Sequence, residues 1–428
     1  MLYLVCGYLV LFIIRPFENW DFGAIRIERI YGIFMLSAFL LSRQRQNIRC
    51  PQTTAVFAFL GAIGISFIFS YVPDLAWVPF YKYATLVLFY VVILGTMNNE
   101  DKLRTFVLVY ICAMAAYQLL SLREYLFFGR GSWDGGIWRM VGYDRTFGGP
   151  NSVAASIAYS MPFLLGLLRG NPRGRIRLAV AAYSVLGFAC IVLTGSRSGL
   201  LAYFFVWLLY ILSLPGKRKL YTVVTFCTFL LVAWQLVPSE KQARFRTLLG
   251  DHMNEGERGS AEGRIRGSGF FLGLRMFQDR PLFGVGMGCF PRYQREQFGG
   301  SLAESHNLYG ELIGELGMLG TLAFACLVAI IFKNAVFVTR EVRKGNIPRA
   351  SPSAWVAWAI IVMLLLLLFE GWASHNLDRY NWLWAAAMGV VVKKFALRKE
   401  NSEKADSPLG GEQHQGHVLQ GGMASQKH

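Results

Sequence analysis

Uncharged apolar runs recur along this chain, each ended by a short polar stretch. "TAVFAFLGAIGISFIFSYV" and "AWAIIVMLLLLLF" are representative. Their lengths approach the roughly 17 to 25 residues a helix needs to cross a bilayer. None alternates with a period of two, which argues against a β-barrel. Twelve segments fit the pattern: Leu2 to Ile14, Ile30 to Leu41, Thr54 to Tyr71, Ala76 to Thr96, Thr105 to Leu122, Asn151 to Leu168, Leu178 to Thr194, Gly199 to Leu214, Leu220 to Val237, Asn307 to Phe332, Ala354 to Phe369 and Trp382 to Val392. Met1 to Ile14 has no basic lead and no small-residue cleavage site after it, so it is expected to be a retained helix. The expected fold is all-α, a polytopic membrane protein with about 12 transmembrane helices. One long segment separates helices 9 and 10. The boundaries drawn are 1–237 for helices 1–9, 238–305 for the long segment, 306–395 for helices 10–12, and 396–428 for a polar, disordered tail.

Composition agrees with that class, at 54% hydrophobic and only 16% charged residues. The formal net charge of +17 then needs explaining. With an inner N-terminus, the inner loops and tail hold about three times as many Lys and Arg as the short outer loops. Most of the basic excess is therefore the positive-inside signature, and no nucleic-acid partner is expected. Both termini fall inside and the long segment outside. The seven cysteines suggest neither a disulfide framework nor a zinc site, since most lie within apolar runs. His414 and His417 sit in the tail, where solvation is the better reading than metal binding.

Given this topology, the unusual polar residues gather on the outer side. Arg145 lies in "VGYDRTFGGPNSVAASIA", a Gly/Pro break before helix 6, and Arg197 in "LTGSRSGLLA", a tight turn between helices 7 and 8. Arg264 and Arg266 lie in "EGRIRGSGFF", and His306 stands where helix 10 begins. Arginines at helix ends commonly snorkel to headgroups, which suffices for Arg130, Arg139 and Arg379. Arg197 is held more tightly, by Gly195 and Gly199. Guanidinium groups suit a diphosphate ligand: they keep their charge and make paired contacts with phosphate oxygens. The outer loops carry no Asp-x-Asp for a bridging metal, so arginines would have to carry that charge.

Histidine is the side chain best suited to accept a proton near neutrality. The tetrapeptide SHNL occurs twice, around His306 and around His375. His306 opens "HNLYGELIGELGMLG", where Gly310, Gly314, Gly317 and Gly320 permit close helix approach. Glu311 and Glu315 would be carboxyls within a span, and Glu315 is expected to orient the base or cap a neighbouring helix. His375 lies in a short turn, "EGWASHNLDRYN", and is given at most a supporting contact, with Glu370 or Arg379 as companions. The repeat is expected to be coincidental and the base to be His306.

At these residues the chain resembles the O-antigen ligase family, within a superfamily that includes O-antigen polymerases and O-oligosaccharyltransferases. "RTFGGPNSVAA", "LTGSRSGLLA", "RGSGFFLGLRMFQDRPLFGVGMGCF" and "HNLYGELIGELGMLG" follow one another in the family's order from Arg145 to Gly320. The family's arginine stands about fifteen residues before the proline of PLFGVG, here Pro281, so Arg266 fits better than Arg264. Phe270 stands where the family usually has tryptophan, and Gly310 replaces a common leucine. The resemblance implies glycosyl transfer at the periplasmic face of a bacterial inner membrane. The donor would be O-antigen on undecaprenyl diphosphate, and the acceptor the lipid A core oligosaccharide. His306 would be the general base, while Arg145, Arg197 and Arg266 bind the diphosphate. Transfer would invert the anomeric centre and require no cofactor, neither metal nor nucleotide. Membrane lipids would be the remaining partner.

Two enzymes within the superfamily compete with this reading. An O-antigen polymerase would use another lipid-linked glycan as acceptor; a single dominant outer segment favours the ligase. Protein O-oligosaccharyltransferases commonly extend well past the last motif. A twelve-helix transporter belongs to another class and would show ionisable groups near the midplane and related halves. Here the ionisable residues cluster at one surface.

Overall fold

The structure is a computed structural model that describes residues 1–15, 27–43, 46–134, 136–144, 147–249, 269–300 and 302–406. In chain order the helices are α1 (Leu2–Ile13), α2 (Ile27–Leu41), α3 (Pro51–Ile68), α4 (Pro73–Thr96), α5 (Glu100–Phe127), α6 (Pro150–Gly170), α7 (Gly174–Thr194), α8 (Arg197–Leu212), α9 (Gly216–Leu236), α10 (Ser239–Arg246), α11 (Gly269–Asp279), α12 (Phe290–Phe298), α13 (Leu308–Lys344), α14 (Pro352–Glu370) and α15 (Tyr380–Asp406). A hairpin of β1 (Gly131–Asp134) and β2 (Ile137–Met140) separates α5 from α6.

Local sequence explains the helix starts. Proline in the first turn opens α3, α4, α6 and α14, where a missing amide costs nothing. Asn99, Ser196, Asn307 and Ser351 cap α5, α8, α13 and α14 by accepting from amides three residues on. Gly195 ends α7 with φ +60°, which a residue with a Cβ adopts only at a cost.

A helix occupies each of the twelve expected apolar segments. Among the described residues, α3, α4, α5, α6, α7, α9, α13 and α14 are long and apolar enough to cross a membrane. The chain is thus an all-α, multi-pass membrane protein. α1 and α8 are apolar but shorter. Some boundaries differ from expectation. α13 runs for 37 residues, well past Phe332 and nearly twice what a hydrocarbon core of about 30 Å needs. Lys333, Arg340, Arg343 and Lys344 are therefore helical residues and not loop residues. α15 likewise continues to Asp406, beyond the boundary drawn at 395.

The core is built from α5, α6, α13, α14 and α15, which bury Tyr110, Phe163, Leu327, Ile360 and Trp382 among many others. By contrast α9 buries none of its residues and presents Leu220, Val224, Leu231 and Leu236 outward, as a lipid-facing helix must. At one end, a smaller cluster of Ala76, Met276, Val285, Cys289, Phe290 and Tyr293 joins α11 and α12 to the start of α4.

Glycines make that attachment. Gly269 and Gly273 of α11 lie directly on Gly310 and Gly314 of α13, backbone against backbone. A Cβ on Gly310 would sit 2.7 Å from the Phe270 Cα and closer still to the Gly269 carbonyl. The segment from Pro281 to Gly288 then runs beside α13. Val285 N donates to Gly314 O at 2.9 Å, Gly286 N to Glu315 O at 2.9 Å and Met318 N to Pro281 O at 2.8 Å. Gly317 breaks the helical geometry at φ +59° and ψ −159° to admit them. Replacing Gly310 by leucine forces the helices apart. It is expected to destabilise the detergent-purified protein by at least about 1–3 kcal/mol, seen as a lower Tm. An unchanged Tm would contradict this packing.

Candidate active site

His306 is the one non-glycine residue with positive φ among the described residues, at +48°. A left-handed histidine costs about 1–3 kcal/mol, so its neighbours must hold it there. Asn307 does so twice: Oδ1 accepts from Gly310 N at 2.9 Å, and Nδ2 donates to Trp372 O at 3.2 Å. Leu308 N donates to Gly371 O at 2.7 Å. The loop before α13 is thus tied to the turn between α14 and α15. Its imidazole remains exposed.

That turn carries the second SHNL, and its construction is similarly firm. Asn376 is fully buried and donates to Leu367 O at 2.9 Å and to the Tyr159 hydroxyl at 3.3 Å, while its own carbonyl accepts from Trp382 Nε1 at 2.9 Å. As a result the rings of His306 and His375 stand 5.2 Å apart, tilted by 54°. The copies of SHNL, expected to be an accident of sequence with His375 at the margin, meet in space. Each asparagine anchors a loop and each histidine faces the other.

The turn also fixes its charges. Asp378 pairs with Lys82 of α4. Burial alone would raise its carboxyl, but Lys82, Arg379 and His375 hold it below the usual carboxylate range. Burial and the neighbouring His306 push His375 down to about 4, against an opposing pull from Asp378. His375 is therefore neutral at physiological pH. Arg379 donates to Ser156 Oγ at 3.4 Å, and Tyr159 lies against Glu370. Trp372 and Tyr309, with rings 4.9 Å apart, form an aromatic rim beside the pair.

The GSRSG turn lies further along the same α6. Gly199 packs against Ala154, so close that a Cβ would collide with it. Arg197 donates to Thr247 Oγ1 at 2.9 Å. Around it stand three cations that the sequence reading did not single out as functional. Arg139, read as a headgroup arginine, is instead 1% exposed. Its Nε donates to Thr194 O at 2.6 Å, its Nη2 to Asn151 Oδ1 at 2.6 Å, and Nη1 pairs with Asp134. Arg244 Nε donates to Gly195 O at 2.9 Å, and Lys241 donates to Trp138 O. Burial, then the mutual proximity of these cations, lowers the proton affinity of Arg139. The β-hairpin and α10 thus clamp the turn from two sides. The signal in the sequence was the Gly-Gly between "SWD" and "IWRM", a hairpin mark.

Glu315 is 2% exposed, and its Oε1 accepts from Phe290 N at 3.0 Å. It caps α12 and steadies the PLFGVG segment, so its carboxyl is a fastening and lies apart from the histidine rings in its contacts. Arg145, Arg264 and Arg266 lie outside the described residues. The structure therefore brings together His306 and His375, places Arg197 in a cationic turn on the shared α6, and assigns Glu315 to packing.

What the arrangement offers chemically is an exposed imidazole at one end of the bundle and a guanidinium cluster on the same helical wall. No curated protein matches the chain. A family model described as O-antigen ligase matches residues 182–325, a stretch that includes Arg197, the PLFGVG segment, His306 and the glycine-faced start of α13. Over that stretch the chain is similar to the O-antigen ligase family.

Proposed function

We propose that the protein transfers O-antigen polysaccharide from undecaprenyl diphosphate to the lipid A core oligosaccharide at the periplasmic face of the inner membrane. The observation that carries the reading is the strained, exposed His306 at the bundle end where Arg197 and its cationic neighbours share α6. In this reading about twelve helices cross the membrane with both termini cytoplasmic, and 238–305 is the periplasmic segment. His306 takes the proton from an acceptor hydroxyl as that oxygen attacks the anomeric carbon. The C–O bond to the diphosphate breaks, its electron pair leaves with the phosphate oxygen, and the centre inverts. Arg197, with Arg145 and Arg266, receives the developing charge, as fixed donors do in a dry site. Arg264 is the alternative to Arg266.

The donor is a lipid, and the fold supplies an apolar groove of about 770 Å³ that runs along α13 from Tyr309 to Lys333 and Arg340. Its upper end lies beside the aromatic rim, so an isoprenoid chain in it would present its diphosphate near His306. The energy comes from the phosphate linkage of the donor, and cationic side chains serve where other enzymes use a divalent metal.

Purified protein in liposomes, given lipid-linked donor, core acceptor and excess chelator, is expected to glycosylate the core at an undiminished rate. Loss of the reaction in chelator, restored by a divalent cation, would overturn the metal-independent mechanism. Elongation of the donor in place of core modification would replace the ligase reading by the polymerase.

A further inference from the structure

Lys333 and Arg340 lie toward the end of α13 opposite His306, and both line the apolar groove. Seven residues make close to two helical turns, so the two cations share one face. The groove's other polar groups are satisfied within the protein: the Tyr309 hydroxyl donates to Leu368 O at 2.9 Å and Thr321 Oγ1 to Gly317 O at 2.6 Å. The cations are not. Both are exposed, and among the described residues neither forms a hydrogen bond or an ion pair. Nearby charges are already committed. Lys344 pairs with Glu341, which also accepts from Asn346, and Lys393 donates to Asn334 Oδ1 at 2.9 Å. Glu341 is the one carboxylate on α13 between Lys333 and Lys344, and it is buried. Two uncompensated positive charges therefore stand beside Phe332, Val336 and Phe337 on the groove wall.

An apolar trough that ends in two cations matches a lipid with an anionic phosphate headgroup. Its acyl chains cover the apolar wall, and its phosphodiester answers the charges. A soluble anion would leave the wall bare, and a zwitterionic headgroup would bring its own cation beside Lys333 and Arg340. Depth agrees with this match. From Tyr309 to Arg340 the helix is about 46 Å long, against a hydrocarbon core of about 30 Å, so both cations fall at or beyond the far edge of the hydrocarbon. Helical side chains lean toward the N-terminus of their helix, which carries the long Arg340 side chain back toward the headgroups. A phospholipid tail spans one leaflet, about half of the core, so the His306 end of the groove stays open to the isoprenoid.

We propose that the far end of the α13 groove is a binding site for one anionic phospholipid, phosphatidylglycerol or a lipid of like charge, whose phosphate is held by Lys333 and Arg340. The site stands apart from the transfer reading. Only its assignment to the cytoplasmic leaflet rests on the topology proposed above.

Full-length protein, purified in a mild detergent and stripped of lipid, is titrated with phosphatidylglycerol, with phosphatidylcholine of the same chains, and with inorganic phosphate, and bound molecules are counted by native mass spectrometry. Wild type is expected to take up phosphatidylglycerol at one saturable site, about tenfold or more tightly than phosphatidylcholine. Lys333→Gln combined with Arg340→Gln should weaken that binding about tenfold or more, and Arg340→Gln alone should lose part of it. Lys217→Gln combined with Arg218→Gln makes the same change of charge at the start of α9, outside the groove, and should leave binding unchanged. Glutamine suits a helix nearly as well as the residues it replaces, so Tm without lipid should match wild type in every variant. Undiminished binding in the groove variants, or an equal loss in the α9 variant, would overturn the site. Phosphatidylcholine bound as tightly as phosphatidylglycerol would remove the headgroup charge from the account. Inorganic phosphate bound at the same two residues as tightly as the lipid would replace the lipid by a free anion. If wild type transfers no glycan, the ligase reading fails, and the lipid titration still decides this site.

Discussion

His306→Ala is expected to reduce transfer by about 10²- to 10⁴-fold, the range a lost general base commonly costs, while the protein still purifies as a folded species. The second half of that expectation follows from the backbone. His306 holds φ at +48°, so replacement by alanine removes an exposed ring and leaves Asn307, which does the anchoring, in place. His306→Gly should be at least as stable as wild type, because glycine adopts that φ without strain, and equally inactive. His306→Gln tests the chemistry further, since it keeps hydrogen bonding but cannot hold a proton at neutral pH. Initial rates of glycan transfer, with Tm measured on the same preparations, check all three. Activity within tenfold of wild type in His306→Gln would remove the base from the mechanism.

Arg197→Ala is expected to cost about 10²- to 10³-fold in kcat, comparable with removing one fixed donor from a developing anion. Arg197→Lys is the more telling variant. A lysine keeps the charge but cannot reproduce the planar fork that spans two phosphate oxygens, so most of the loss should persist. Thr247 holds Arg197 at 2.9 Å, and Arg139 and Arg244 fasten the turn beneath it by bonds to Thr194 O and Gly195 O. The guanidinium is therefore presented by a rigid frame, and the defect should fall on turnover rather than folding. Near wild-type kcat in Arg197→Lys would mean that Arg197 contributes charge alone.

The sequence announced the helices because hydrocarbon permits few alternatives: each apolar run must satisfy its backbone internally, and a helix stands at each of the twelve. Helix ends were less legible. α13 passes Phe332 without a break because Lys333 and Arg340 are good helix formers that a hydropathy reading mistakes for a loop. Arg139 illustrates a different difficulty. Its charge suggested a lipid headgroup, yet three acceptors from α6, α7 and β1 make its burial tolerable, and no local pattern encodes acceptors supplied from distant segments.

The histidine pair was hidden for the same reason. Either copy of SHNL can be understood locally, as an asparagine fixing a loop, and only the docking of α14 and α15 against α13 reveals that the loops are one structure. Gly310 gives the converse case. Its glycine is legible in the sequence as a place of close approach, but that the approach is to Gly269 of α11, where a Cβ would meet the backbone, is visible only in the fold.

The central claim is one displacement at the anomeric carbon, from lipid diphosphate to a core hydroxyl, with His306 as base. The anomeric configuration of the new linkage on the core, determined by NMR on product made by purified protein from a donor of known configuration, tests it most directly. Inversion is predicted, with one undecaprenyl diphosphate released per linkage formed. Retention of configuration, or a lengthened donor beside unmodified core, would contradict the account.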